Sequence, residues 1–451
     1  MLATCLAVAC SDKTTGPNPQ PQSKMDHIWS KGFGNQWTQR ARGVAVDRDG
    51  NVIVVGHFAG AIDFGGGPLI GSGDFDIFVA KFASNGAHLW SKSFGNGDYQ
   101  SGEGVAVDPW GDVIIVGGFR GVVDFGGGVL ISKGLDDIFV VKFSPEGRYL
   151  GSRRFGDENG QLACSVAVDA SGNIIIAGSF SGTVDFGGGE LVSAGDSDIF
   201  LAKFRYDGTD LWSKSFGDGH KQSARCVAVN HSGGVVLTGC FDGAVDFGGG
   251  ALTSTSPDDI FVAKFGSDGR HLWSHGFAGR LYQEAPGVAV DASGNVIIAG
   301  HFYDTIDFGG GPLASAGYDD IFAAKLNSKG ALVWSKRFGD ENDQWEEAIA
   351  VDGSGNVVIT GLCNGAFDAG GGPPAEASDC GLYILKLRPD GTYMRSKCFG
   401  LKNSLQMPQS AAVDASGNVV IVGYYFGTID FGGGPITSAG YADIFVAEFG
   451  R

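Results

Sequence analysis

Seven glutamines recur at intervals of 61 or 62 residues: Gln39, Gln100, Gln161, Gln222, Gln283, Gln344 and Gln406. Gathered around one axis, their amides would make a polar collar able to hold a ligand or an ion. A primary amide also supplies a donor and an acceptor together, so each Gln could instead tie its own loop to the backbone. Repetition in every copy favours the second use, because a requirement of the fold repeats whereas most sites do not. Beside the glutamines stand Trp37, Tyr99, His220, Tyr282 and Trp345, which differ from copy to copy. Exposed on a rim, such rings stack on sugars or grip a peptide; inserted between repeats, they only pack. His57 and His301 occupy equivalent places in copies that are not neighbours, so they are not expected to share a metal.

The recurring Asp63-Phe64-Gly65-Gly66-Gly67 offers a carboxylate to Ca²⁺, but that ion takes roughly six to eight oxygens. One carboxylate per loop reads better as the cap of a tight turn. No cofactor is therefore expected, with Ca²⁺ the one weak exception. Nothing in the chain has the spacing of HExxH, GxSxG, a P-loop or paired zinc cysteines. A binding role is expected ahead of catalysis. The rival is a hydrolase or lyase assembled from scattered loop residues at a channel mouth.

A repeat places these residues. Val44-Ala45-Val46-Asp47 returns at Val105, Val166, Val227, Val288, Ile349 and Ala411, and the segments Asn51–Gly56, Asp63–Gly67, Asp76–Phe82 and Leu89–Lys92 return in register. Each copy holds four short β-branched or aromatic runs separated by Gly, Asn, Asp and Ser. In the first copy strand A is expected at Arg42–Asp47, B at Asn51–Phe58, C at Asp76–Phe82 and D at His88–Phe94. No run has the period of a helix. The expected fold is all-β: a seven-bladed β-propeller with four antiparallel strands per blade. The seventh copy ends after its strand C, Asp443–Phe449, while Ile28-Trp29-Ser30-Lys31 precedes the first strand A in register with Trp90. The N-terminal strand is therefore expected to complete the last blade and remove the open edges. In such a ring the D–A and B–C loops share one face. The long B–C connection, Ala59 to Phe75, directs the expected binding to that face and to the channel mouth.

The run Gly43-Val44-Ala45-Val46-Asp47, followed by Gly50-Asn51-Val52, Asp76-Ile77-Phe78-Val79-Ala80-Lys81-Phe82 and Leu89-Trp90-Ser91, resembles the bacterial SBBP β-propeller repeat. More distantly it resembles the NHL repeat. The resemblance extends over residues 27–451 and implies a propeller, often in an exported or surface protein, with no single activity.

Composition agrees with short strands and tight turns: 77 Gly, 4 Met and 11% aromatic residues among 451. A formal charge of −18 opposes binding to nucleic acid or anionic lipid. No stretch approaches the roughly 18 apolar residues of a membrane span. Residues 1–10, MLATCLAVAC, resemble the end of a truncated lipoprotein signal in which Leu6-Ala7-Val8-Ala9 leads to an acylated Cys10, with 11–26 a flexible linker. The alternative is a frayed tail with a chance Cys. Cys226 with Cys240, and Cys380 with Cys398, are expected to face each other across hairpins, as disulfides or as facing thiols; Cys164 and Cys363 have no evident partner. The expected protein is a monomer, exported to the cell envelope and lipid-anchored, that engages a protein, peptide or glycan.

Overall fold

The computed structural model describes residues 25–256, 258–279, 283–365, 367–370, 380–400 and 405–451. Cys10 and Tyr282 lie outside them. Every regular element among the described residues is a strand. The middle strands of blade one, B (Val52–Phe58) and C (Asp76–Phe82), are rich in β-branched and aromatic residues and buried along their whole length. Such side chains suit a strand covered on both faces by neighbouring blades. Strands A (Gln39–Val46) and D (His88–Phe94) flank them, in the order A–B–C–D. Seven such antiparallel sheets form the ring, and the strands A touch one another around its axis, with Leu405–Val413 against Gln39–Val46.

Strand A starts at Gln39, three residues before the expected start, because the Gln pairs with Phe58 at the head of the ladder. The B–C connection is not a plain loop either. Ala61–Asp63 and Pro68–Ile70 pair as a small hairpin that drives Ile62 and Phe64 into the core at 2% and 1% exposure. At its tip, Asp63 Oδ1 accepts the N–H groups of Gly65 and Gly67 at 2.7 and 3.0 Å. Both glycines have φ above +100°, a conformation that a Cβ would strain.

The N-terminal strand His27–Phe33 pairs antiparallel with Asp443–Phe449, placing Trp29 opposite Glu448. Phe33 stacks on Phe82 of blade one at 5.4 Å. Between internal blades, Phe94 stacks on Phe143 and Phe155 on Phe204 at 5.4 and 5.5 Å. The closing junction is thus packed as the internal ones are, each ring burying about 2–3 kcal/mol of apolar surface.

Candidate functional site: the axial channel and the long-loop rim

Each inner strand carries one residue too many for its ladder. Register against strand B slips between Ala41 and Gly43, Gly102 and Gly104, Ala163 and Ser165, and Ala224 and Cys226. It slips again between Glu284 and Gly287, Glu346 and Ala348, and Pro408 and Ser410. A β-bulge leaves its extra residue out of the ladder and re-aims the side chain. The re-aimed residues Arg42, Glu103, Cys164, Arg225, Glu347 and Gln409 line an axial cavity of ≈ 420 Å³.

The cavity is charged. Arg42 Nη1 donates to Gln409 Oε1 at 2.7 Å, and its Nε lies 3.8 Å from Glu103. Arg225 pairs with Glu284 at 2.8 Å. Glu346, next to the bulge residue Glu347, is 1% exposed, and neither of its carboxylate oxygens has a hydrogen-bond partner among the described residues. Burial, and then the charges of Glu347 and Glu284, push its carboxyl well above the usual range. Burial and then Glu284 push Glu347 up to about 7, against the pull of Arg42 and Arg225.

A serine, a histidine and a carboxylate also meet beside this channel. Ser101 Oγ donates to Glu103 and contacts His57 Nδ1 at 2.7 Å. Burial, and then Arg42 and Arg40, push His57 down to about 3. In a nucleophilic triad the carboxylate orients the imidazole, whose other nitrogen faces an accessible hydroxyl. Here the carboxylate binds the hydroxyl, and Ser101 is 0% exposed. The three residues link the channel wall to the blade interface instead of meeting a substrate.

A second cavity, ≈ 650 Å³, opens on the opposite face, among the short A–B turns, where Asp47, Asp108, Asp169, Asn230, His231 and Asp291 line it. The long connections lie on the other face, where binding is expected from loop length. Much of that length is consumed by the hairpins that cover the core.

The seven glutamines do not form a collar. All are 0–1% exposed. Asn96 N–H donates to Gln100 Oε1 at 3.2 Å, and Gln100 Nε2 donates to Asn96 Oδ1 at 2.6 Å and to the Arg120 carbonyl at 3.0 Å. Gln39, Gln161 and Gln222 repeat all three bonds. Gln344 repeats the first two, and Gln283 accepts from Gly279 N–H. Each of these six amides ties the loop ahead of it to its own blade.

Nor do the four described loop residues Trp37, Tyr99, His220 and Trp345 make one rim. Trp37 is 53% exposed. Tyr99 packs against His57 and Phe75. Trp345 lies inside its strand A, half-buried, with Nε1 donating to Asp319 Oδ2 at 3.2 Å. His220 is exposed and contacts Asp218 at 3.2 Å. A different pair of exposed rings meets at the junction of blades seven and one. The blade-seven loop runs beside it through the bridge Thr38–Ala442 and the bond from Gln39 N–H to the Ala442 carbonyl at 2.7 Å. That brings Tyr441, 76% exposed, next to it, with Leu405 and Phe426, also exposed, on the same blade. A sequence signal for Phe426 existed, since Ala59, Arg120, Ser181 and Asp242 hold its place in other copies. The bulge ring had one too: two residues before Val-Ala-Val-Asp the copies read Arg42, Glu103, Cys164, Arg225, Pro286, Glu347 and Gln409.

The expected disulfides are not formed. Cys226, Cys240 and Cys398 are thiols. The bulge shifts the ladder so that Cys226 faces Thr238 and Cys240 faces Ser223. Cys398 faces Tyr383, while Cys380 pairs with Gly365. Cys363, which had no evident partner, is disulfide-bonded.

No family model matches the chain. An uncharacterized WD repeat-containing protein of Acanthamoeba polyphaga mimivirus is 22% identical over 522 residues, covering 92% of this chain and 37% of the relative. The regulatory protein FlaEY of Caulobacter vibrioides is 25% identical over 178 residues, 38% of this chain and 19% of the relative. The chain thus spans well under half the length of the curated relatives it matches. Among solved structures, Sqt1 from Chaetomium thermophilum aligns over 95% of this chain and 99% of its own, at 10% identity and a TM-score of 0.46. A puromycin hydrolase aligns over 87% of this chain and 51% of its own, at 12% identity and a TM-score of 0.44. The repeat in the sequence and the closed ring of seven four-stranded sheets make the chain a seven-bladed β-propeller repeat protein.

Proposed function

We propose that this propeller is a binding scaffold that engages a protein, peptide or glycan through its long-loop face, exported to the cell envelope and anchored by a lipid on Cys10. The observation that carries the binding reading is the pair of exposed rings Trp37 and Tyr441 at the junction of blades seven and one, with Leu405 and Phe426 exposed on blade seven. Trp37, Leu405, Phe426 and Tyr441 are each roughly half exposed or more. Single exposed apolar residues are ordinary on a soluble surface, but a group drawn from neighbouring loops is what a partner covers. Large, stiff aromatic rings are also the residues that carry most of the energy in such contacts. The similarity to a WD repeat-containing protein supports a scaffold reading in general terms. The envelope location rests on MLATCLAVAC and its polar tether, together with the SBBP-like repeat.

A peptide and glycan array tests this reading. Wild-type protein is expected to select a small set of ligands, and Trp37→Ala with Tyr441→Ala to weaken them at least ten-fold. Trp345→Ala, a change at a half-buried packing position, is the control. No selective binding, or binding indifferent to the rim changes, would remove the proposal.

A further inference from the structure

We infer that the crevice between blades two and three, at Gly151, is a binding site for an indole ring supplied by a ligand. It lies beside the C–D turn of blade three and does not depend on the rim at blades seven and one.

Five blades show what this place is shaped for. Trp29, Trp90, Trp212, Trp273 and Trp334 stand on strands D, each opposite the last residue but one of its strand C. Each indole lies over the glycine of the next blade's C–D turn. A Cβ on Gly86, Gly147, Gly269, Gly330 or Gly391 would fall 2.7–2.9 Å from its Cδ2. Each Nε1 also donates to a carbonyl of that turn at 2.9–3.2 Å.

Gly151 holds the same place in blade two, opposite Lys142, and Arg395 holds it in blade six. At Gly151 the space stays open. A Cβ there would meet no atom within 4 Å, and one on Gly208, the glycine of the next turn, would meet only Arg153 at 3.8 Å. Arg153 is engaged elsewhere. Its Nη1 donates to the Gly208 carbonyl at 2.6 Å, the bond that Lys31 makes to Gly86 beneath a resident indole. What remains is a cavity of ≈ 300 Å³ bordered by Gly151 and Gly208 and lined by Val140, Leu150, Phe155, Phe204 and Tyr206.

The lining selects the ligand. Phe204 stands at the place of Phe82, which lies 6.2 Å from the Trp29 ring. The Tyr206 carbonyl stands where those of Ser84 and Pro145 accept an indole N–H. An apolar space with one acceptor suits a planar ring carrying one N–H donor, and an apolar void of this kind takes an aromatic guest. The rim is apolar as well. Leu150 and Tyr206 are each 51% exposed, and Trp110, 58% exposed, lies 5.6 Å from Tyr206. Other copies hold Asp or Ser at the place of Trp110, and Ser or Pro at that of Tyr206. The missing indole and the aromatic rim thus coincide at one junction.

Titration of the full chain with 5-fluoroindole, followed by fluorine NMR, tests the site. Wild-type protein is expected to bind it saturably in the millimolar range or tighter, and to bind 5-fluoro-1-methylindole, which lacks the N–H, at least three-fold more weakly. Displacement by N-acetyltryptophanamide assigns a ring carried on a polypeptide, and displacement by indole alone assigns a free one. Gly151→Trp restores the resident indole and is expected to fold, as five other blades do with that residue, and to weaken binding at least ten-fold. Absence of saturable binding, equal binding of the methylated ring, or binding that survives Gly151→Trp overturns the inference. If circular dichroism shows that variant to be unfolded, Gly151→Phe decides. It is expected to weaken binding three-fold or more, and unchanged binding overturns the inference.

Discussion

Trp29 Nε1 donates to Glu448 Oε2 at 2.7 Å across 419 positions of sequence. The same nitrogen lies 3.1 Å from the Ser84 carbonyl in the C–D turn of blade one. Trp90, Trp212, Trp273 and Trp334 make that second contact with the turns of their own neighbouring blades. The closing blade thus repeats the internal bond and adds one, because Glu448 stands where Lys81, Lys142, Lys203, Lys264, Lys325 and Lys386 stand elsewhere.

Removing that tryptophan should open the ring. Trp29→Ala is expected to cost about 3–5 kcal/mol, and Trp29→Phe, which keeps a ring but loses the bonds, about 2 kcal/mol. Urea unfolding checks both. A Trp29→Ala protein as stable as wild type would contradict closure by this strand.

The glutamines should behave as locks, not as ligands. Gln100→Leu leaves the Asn96 amide and the Arg120 carbonyl without their partner, an expected loss of about 2 kcal/mol. Amide exchange at Asn96 should quicken while array binding stays intact. Loss of binding without loss of stability would return the glutamines to a ligand-holding role.

Glu347 gives a pH dependence of defined sign. Its carboxyl rises from 4.5 to about 7 in the folded chain, through burial and Glu284, with Arg42 and Arg225 opposing; Glu346 lies on the same side. A raised native value means that the folded state holds the proton more tightly than the unfolded one. The group therefore costs stability progressively as pH climbs from 4.5 to 7, and by a constant amount above that. Glu347→Gln is expected to stabilise the protein by on the order of 2 kcal/mol at pH 8 and hardly at all at pH 4. Equal effects at the two pH values, by urea midpoint, would contradict the burial of this carboxyl.

Thiol mapping separates the cysteines. Under denaturing, non-reducing conditions, peptides carrying Cys164, Cys226, Cys240 and Cys398 should take up an alkylating reagent directly. The Cys363 peptide should do so only after reduction. A Cys226–Cys240 linked peptide would contradict the ladder register.

The fold was legible because its cause is periodic. Val44-Ala45-Val46-Asp47 and Asp76–Phe82 return in every copy with few exchanges, Gly381 for Asp76 and Glu448 for Lys81 among them, and the pairing of His27–Phe33 with Asp443–Phe449 follows from counting strands. The bulges were not legible. One extra residue in strand A leaves the hydrophobic alternation nearly intact while turning Arg42 or Glu347 into the channel and moving Cys226 off Cys240. The hairpin at Ala61–Ile70 was hidden by its glycines, which read as loop although Phe64 between them is core. The candidate sites followed the same division. Recurrent Gln and Asp are structural locks, and the distinctive surfaces come from positions where the copies differ.

Amide hydrogen exchange with and without a ligand selected on the array tests the binding account most directly. Protection is expected at residues 35–38, 424–428 and 438–442, around Trp37, Phe426 and Tyr441. Protection confined to the short A–B turns, around Asp47, Asp108 and Asp169, would place the partner on the opposite face and contradict it.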